Sequence, residues 1–127
     1  MTVRNFTREM VIARPLDQTF AFFADPRNLE TLTPAFLRFR FLREPPRQLA
    51  AGLILEYRIR LYGVPVRWQT LIESFDPPHR FIDMQQRGPY AHWRHTHSFE
   101  VVDQTVTRVR DAVEFAMPLG PLGDLAY

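Results

Sequence analysis

Residues 92–115 read "HWRHTHSFEVVDQTVTRVRDAVEF", two runs that alternate large apolar and polar side chains on either side of "DQT". A period of two is the signature of a strand with one dry and one wet face, and Asp-Gln-Thr is turn chemistry. The stretch therefore reads as a hairpin of strands His92–Val102 and Val106–Phe115. Trp93, Phe99 and Val101 oppose Arg94, Ser98 and Glu100, and Val109, Val113 and Phe115 oppose Arg108, Arg110 and Glu114. His95, His97 and Asp111 are polar residues on the apolar side, which makes them the informative positions.

Register gives these residues neighbours, because a one-residue slip would turn the whole apolar set outward. With a three-residue "DQT" loop, Val102 pairs Val106, which places His97 opposite Asp111 and His95 opposite Val113. A preceding turn centred on Pro89 places Asp83 opposite His95, Phe81 opposite His97 and Gln85 opposite Trp93. Directly opposed side chains have Cβ atoms about 5 Å apart, within reach of a carboxylate–imidazole hydrogen bond. The expected pairs are Asp83 with His95 and His97 with Asp111.

Working outward, Val3–Ile12 reads as a first strand. Pro15, Asp17 and the Leu16, Phe20, Phe23 stripe then predict a helix ending before Asp25-Pro26. A second short helix is expected over Pro26–Leu32, stopped at Thr33-Pro34 because a residue before proline is disfavoured in helical geometry. Further strands are expected at Arg38–Arg43, Ile54–Leu61, Val66–Phe75 and Phe81–Arg87, separated by "EPPRQLAAG", "YGVP", "DPPH" and "GPY". Helices segregated from a run of hairpin-linked strands predict an α+β fold on an antiparallel sheet of about seven strands.

Composition bounds the rest. The chain has 127 residues, 46% hydrophobic, with eleven Phe, eleven Pro and no Cys. That length is expected to form one domain, and the absence of Cys excludes disulfides, a thiolate nucleophile and Cys-ligated metal. No apolar run is long enough to span a bilayer and the N-terminus lacks a signal-peptide layout, so a cytoplasmic protein with no membrane insertion is expected. All sixteen basic residues are Arg, but the net charge is only +2 and the basic residues alternate with apolar ones, the pattern of a solvated sheet face. Nucleic-acid binding is therefore not expected.

The β-αα-ββββββ order, with "FIDMQQRGPYAHWRHTHSFE" and "MPLGPLG", resembles the SRPBCC superfamily, also called START-like or helix-grip, and its small bacterial ligand-binding members in particular. The positions that carry the likeness are Phe81, Asp83, Gln85, Gly88, Pro89, Tyr90, Trp93, His95, His97 and Phe99, with "DPRNLETLTPAFLRFRF" after the first helix, and the similarity runs from Arg4 to Gly123. The resemblance implies a helix-grip domain over residues 1–127 and a ligand-binding, polyketide cyclase/dehydrase-type or protein-interaction role. It also implies a long C-terminal helix that closes the cavity. "PLGPLGDLAY" reaches only the expected start of that helix, so a domain lacking most of it, and a homo-oligomer formed through the uncovered concave face, are the corresponding expectations.

The leading reading of the polar residues is a satisfied ladder that orients a small hydrophobic or amphipathic ligand such as a lipid, polyketide or aromatic metabolite. Asp83, Gln85, Trp93, His95, His97, Asp111, Tyr57, Trp68 and Phe115 are the expected ligand-binding residues. The alternative is acid–base catalysis by His95 or His97 on a carbonyl substrate. His-x-His spacing also suits a metal, with Asp83 or Asp111 as third ligand. If both aspartates serve as hydrogen-bond partners, only two ligands remain, so no metal and no cofactor is expected. A Ser-His-Asp triad is disfavoured because Ser98 faces away from both histidines.

Overall fold

The computed structural model describes residues 2–118. Strand β1 (Val3–Ile12) leads into helix α1 (Leu16–Phe23), a 3-10 turn (Pro26–Asn28), helix α2 (Leu29–Leu32) and a second 3-10 turn (Ala35–Leu37). Six further strands follow: β2 (Arg40–Phe41), β3 (Ile54–Leu61), β4 (Val64–Asp76), β5 (Arg80–Arg87), β6 (His92–Asp103) and β7 (Val106–Ala116). All pair antiparallel in one curved sheet of order β1-β7-β6-β5-β4-β3-β2, so the N-terminal strand closes onto the last one. The helix-grip α+β architecture expected from the sequence is the one observed. The expected start of the closing helix, in "PLGPLGDLAY", falls on residues 119–127 apart from Pro118, and residues 119–127 lie outside the described residues.

Local departures have physical causes. The strand expected over Arg38–Arg43 shrinks to Arg40–Phe41 because the preceding 3-10 turn ends on Arg38 in the left-handed region (φ 47°), which turns the chain sharply before it can pair. The expected second helix is a 3-10 turn capped by the Asp25 carboxylate, which accepts from Arg27 N at 3.0 Å, followed by a single α turn. Between β3 and β4, Tyr62 (φ 51°) and Gly63 (φ 79°) form a two-residue turn with both central φ positive, matching the twist of a hairpin. The β4 strand therefore starts at Val64 rather than after "YGVP".

The β6–β7 turn is also tighter than expected. Asp103 pairs Val106 and Val101 pairs Thr107, so Val102 is a bulge and does not pair Val106. Removing a residue from the turn and adding it to the bulge leaves the rest of the ladder in the expected register: His97 opposite Asp111, His95 opposite Val113, Asp83 opposite His95 and Phe81 opposite His97. Val101 lies past the covered part of the sheet and is half-exposed.

The core sits between α1 and the middle of the sheet. The α1 stripe delivers Phe20, 5% exposed, against Phe75, Phe81 and Phe99 at ring-centroid distances of 5.6, 5.9 and 5.1 Å. Ile72 and Val109 are buried beside it. A second cluster of Phe39, Ile59 and Trp68 packs at the β2–β3–β4 side of the sheet. On the outer face Arg94 pairs with Glu73, Arg108 with Glu100, and Arg67 with Glu56, exposed ion pairs of small energetic weight.

Candidate functional site: a polar cluster in an apolar cavity

Between the helices and the concave face lies a cavity of about 400 Å³. Its apolar walls include Phe23, Leu29, Leu49, Leu55, Ile72 and Phe81, and its polar residues include Arg8, Tyr57, Thr70, Asp83, His95, His97 and Asp111. Alternation on β5, β6 and β7 aims the last four inward, as their strand positions require. A second hollow of about 310 Å³ is lined by Trp68, Tyr90, Trp93 and Phe39, and it shares Leu29, Thr33 and Tyr57 with the first. The concave face thus has a polar lobe and an aromatic lobe joined at Tyr57.

The shortest carboxylate contacts differ from those expected. His97 Nε2 lies 2.6 Å from Asp83 Oδ2, and His95 Nε2 lies 3.0 Å from Asp111 Oδ1. Each imidazole therefore makes its shortest contact with the aspartate diagonal to it, and of the expected pairs His97–Asp111 persists as a longer contact of 3.5 Å. Diagonal neighbours on a twisted ladder are within reach of side chains as long as histidine, and stacking explains the choice. The His97 ring packs on Phe81, with centroids 4.2 Å apart and planes 15° apart, and on His95 at 3.7 Å and 24°.

Asp111 is the hub. Its Oδ1 also lies 3.5 Å from His97 Nδ1, and its Oδ2 accepts from Arg8 Nη2 at 3.3 Å. Arg8 stands directly opposite Asp111 across the β1–β7 ladder. Burial alone would lower the His97 pKa, but Asp111 and Asp83, one at each ring nitrogen, raise it to about 9. Burial likewise pushes Asp111 up, and the hydrogen bonds and charges of His95 and His97 overcome this and hold its carboxyl well below the usual range. Burial raises the Tyr57 phenol, opposed by its hydrogen bond with Thr70 Oγ1 at 3.1 Å and assisted by the charge of Asp83, so the hydroxyl keeps its proton.

The remaining expected site residues are placed as follows. Trp68 and Trp93 line the aromatic lobe, with rings 5.5 Å apart and nearly perpendicular. Phe115 is buried behind them, its ring 6.3 Å from that of Trp93, and lines neither lobe. Gln85 also lines neither: its Nε2 donates to Tyr90 O at 2.7 Å and its Oε1 accepts from Tyr90 N at 3.2 Å, which fastens the β5–β6 turn. Arg8 was not among the expected residues. Its signal is the inward phase of Met10 and Ile12, continued two residues back, but its partner strand lies at the other end of the chain, and no turn links the two.

Ligand-type atoms of Asp83, His95 and His97 lie within 4.8 Å of one another. The donor set nevertheless suits a metal poorly as folded. Rings stacked at 24° direct their in-plane lone pairs side by side rather than toward one point, and both nitrogens of His97 face carboxylates.

A search of curated proteins by sequence gave no match. Solved structures share the fold at low identity. ZhuI aromatase/cyclase from Streptomyces sp. R1128 is 16% identical with a TM-score of 0.74, covering 94% of this chain and 71% of its own. A START superfamily protein from Mycobacterium smegmatis is 10% identical with a TM-score of 0.70, covering 96% and 83%. Norcoclaurine synthase from Thalictrum flavum, in complex with dopamine and hydroxybenzaldehyde, is 16% identical with a TM-score of 0.69, covering 98% and 81%. The family model described as polyketide cyclase/dehydrase and lipid transport matches residues 3–126, nearly the whole chain, and the protein belongs to that family.

Proposed function

We propose that the protein binds a small hydrophobic or amphipathic molecule in the two-lobed hollow of its concave face. The observation that carries this reading is the Arg8–Asp83–His95–His97–Asp111 cluster set in the wall of a largely apolar cavity of about 400 Å³. A few convergent polar groups in an apolar concavity orient a ligand whose body is held by burial. The aromatic wall of Trp68, Tyr90 and Trp93 suits a planar body, and the shared Tyr57 places a hydroxyl between the lobes. Family membership is compatible with this role. Native mass spectrometry of the purified protein is expected to show a small organic adduct that denaturation releases into solvent. Absence of any adduct, together with no saturable binding of a fluorescent apolar probe, would sink the reading.

One arrangement favours a second reading, acid–base chemistry of the cyclase/dehydrase type. The carboxylate of Asp111, braced by Arg8, orients His95 at the cavity wall, and the protonated Tyr57 hydroxyl stands in the same lobe as a hydrogen-bond donor. In a neutral His95 whose Nε2–H donates to Asp111, Nδ1 is the acceptor left to take a substrate proton. This reading requires His95→Gln to retain binding of a carbonyl substrate and lose turnover. Equal turnover by the variant would eliminate it.

A further inference from the structure

Over much of the outer face of the sheet a basic residue stands beside an acid of its own: Arg94 by Glu73, Arg108 by Glu100 and His92 by Glu114. The β2–β3–β4 corner breaks this pattern. Arg40 stands directly opposite Arg58, and Arg58 directly opposite Arg67, so three arginines form one row across three strands, with neighbouring Cβ atoms about 5 Å apart. Arg60 follows Arg58 two residues along β3 and so shares its face. Glu56 is the one carboxylate among the outward strand positions of this corner, and it is shared, with Arg67 at 3.4 Å and Arg43 at 3.5 Å. Among the described residues the Arg40 and Arg58 side chains make no hydrogen bond or ion pair, and the Arg58 Nε is buried without an acceptor. Four arginines (Arg40, Arg58, Arg60 and Arg67) against one glutamate leave +3 here, more than the +2 of the whole chain, so the positive charge is segregated to one corner.

We propose that this corner is a peripheral docking surface for an anionic lipid bilayer. Like charges directly opposed across strands destabilise a sheet, and a layer of phosphate and carboxylate headgroups relieves that repulsion while supplying acceptors to the unpaired guanidinium groups. On the outer face the row sets its cations side by side rather than around one point, which suits an extended array of anions more than one small molecule. Apolar side chains flank it: Tyr62 at the tip of the β3–β4 hairpin is fully exposed, Val64 is 60% exposed, and Ile54, outward on β3, is 47% exposed. Such groups gain from burial at the headgroup–acyl boundary, and the aliphatic ones gain little from a nucleic-acid backbone, so lipid fits the corner better. The same hairpin lends Leu61 to the aromatic lobe, so docking sets a bilayer beside that hollow, although the inference does not depend on the ligand-binding reading.

The test sediments the 127-residue chain with vesicles of phosphatidylcholine alone, or with roughly one-third phosphatidylserine, at low salt and at about 0.5 M salt. The expected result is binding to the anionic vesicles only, weakened by salt. Arg40→Gln with Arg67→Gln should weaken it about 25-fold, about fivefold for each arginine. Arg108→Gln with Arg110→Gln lowers the net charge equally but removes arginines that already have an acid beside them, so it should change binding by less than about twofold. No binding to the anionic vesicles, equal binding to neutral ones, or equal loss in the two double variants overturns the proposal. A short DNA duplex that displaces the chain from vesicles at equal phosphate concentration also overturns it and assigns the row to nucleic acid. If a double variant does not fold, the lipid and salt dependence of the unmodified chain and its competition with the duplex decide.

Discussion

His97 Nε2 sits 2.6 Å from Asp83 Oδ2, although the residue directly opposite Asp83 on the β5–β6 ladder is His95. Backbone register and side-chain partnership are therefore separate facts here. The stacking of Phe81, His97 and His95 decides the second, and each partnership is testable.

Asp83→Asn and Asp111→Asn should both lower the His97 pKa from its raised value near 9, since each removes a carboxylate facing one ring nitrogen. Titration of the imidazole carbon-bound protons by NMR measures this directly. Asp111→Asn should also destabilise the fold more, because it breaks contacts to His95, His97 and Arg8 together, at a cost of about 2–3 kcal/mol. An unshifted His97 in both variants would refute the assignment.

The raised His97 pKa makes stability fall on the alkaline side. A group whose folded pKa lies above its ordinary 6.5 contributes fully below that value, and the contribution is lost as pH rises through about 9. Asp111 acts in the opposite direction: its folded pKa is lowered, so its contribution is present above about pH 4 and is lost on acidification. Thermal melts should therefore show Tm declining between about pH 7 and 9, and His97→Gln should flatten that decline. An equally steep alkaline decline in the variant would contradict it.

Phe99→Ala should cost about 3–5 kcal/mol, because the ring is 3% exposed and touches Phe20, Phe23 and Phe81. Phe36→Ala, at a ring that is 78% exposed, should change stability by less than about 0.5 kcal/mol. Urea unfolding of the two variants separates them, and similar midpoints would mean that the core is misplaced.

Gly88→Ala should loosen the β5–β6 turn. A Cβ at this position would lie 2.4–3.0 Å from the Gln85 side chain, which cannot retreat without breaking its two hydrogen bonds to Tyr90. The expected loss is about 1–2 kcal/mol, and affinity for an apolar probe should fall with it, because the same turn carries Tyr90 of the aromatic lobe. Unchanged stability and affinity would show that Gln85 does not fasten the turn.

Much of this was legible in the chain, for identifiable reasons. Period-two alternation fixed which faces of β3, β6 and β7 are dry, and hairpin counting placed His95, His97, Asp83 and Asp111 across from their observed backbone neighbours. What escaped was non-local. Arg8 reaches Asp111 only because β1 closes onto β7, a pairing that no turn in the sequence dictates. The diagonal imidazole partners depend on a ring stack whose geometry no count of residues contains. The shortened β2 depends on a left-handed Arg38, a conformation that arginine composition does not announce.

The bulge at Val102 insulates the polar cluster from the hairpin tip. A ladder that absorbs an odd residue outside the cavity can tolerate a change of turn length without rotating His95 and His97 to the outer face. Gln104 and Thr105, exposed at that tip, are accordingly a natural place to graft a reporter or an affinity handle. A probe attached there would share a strand pair with the cavity and still leave its chemistry undisturbed.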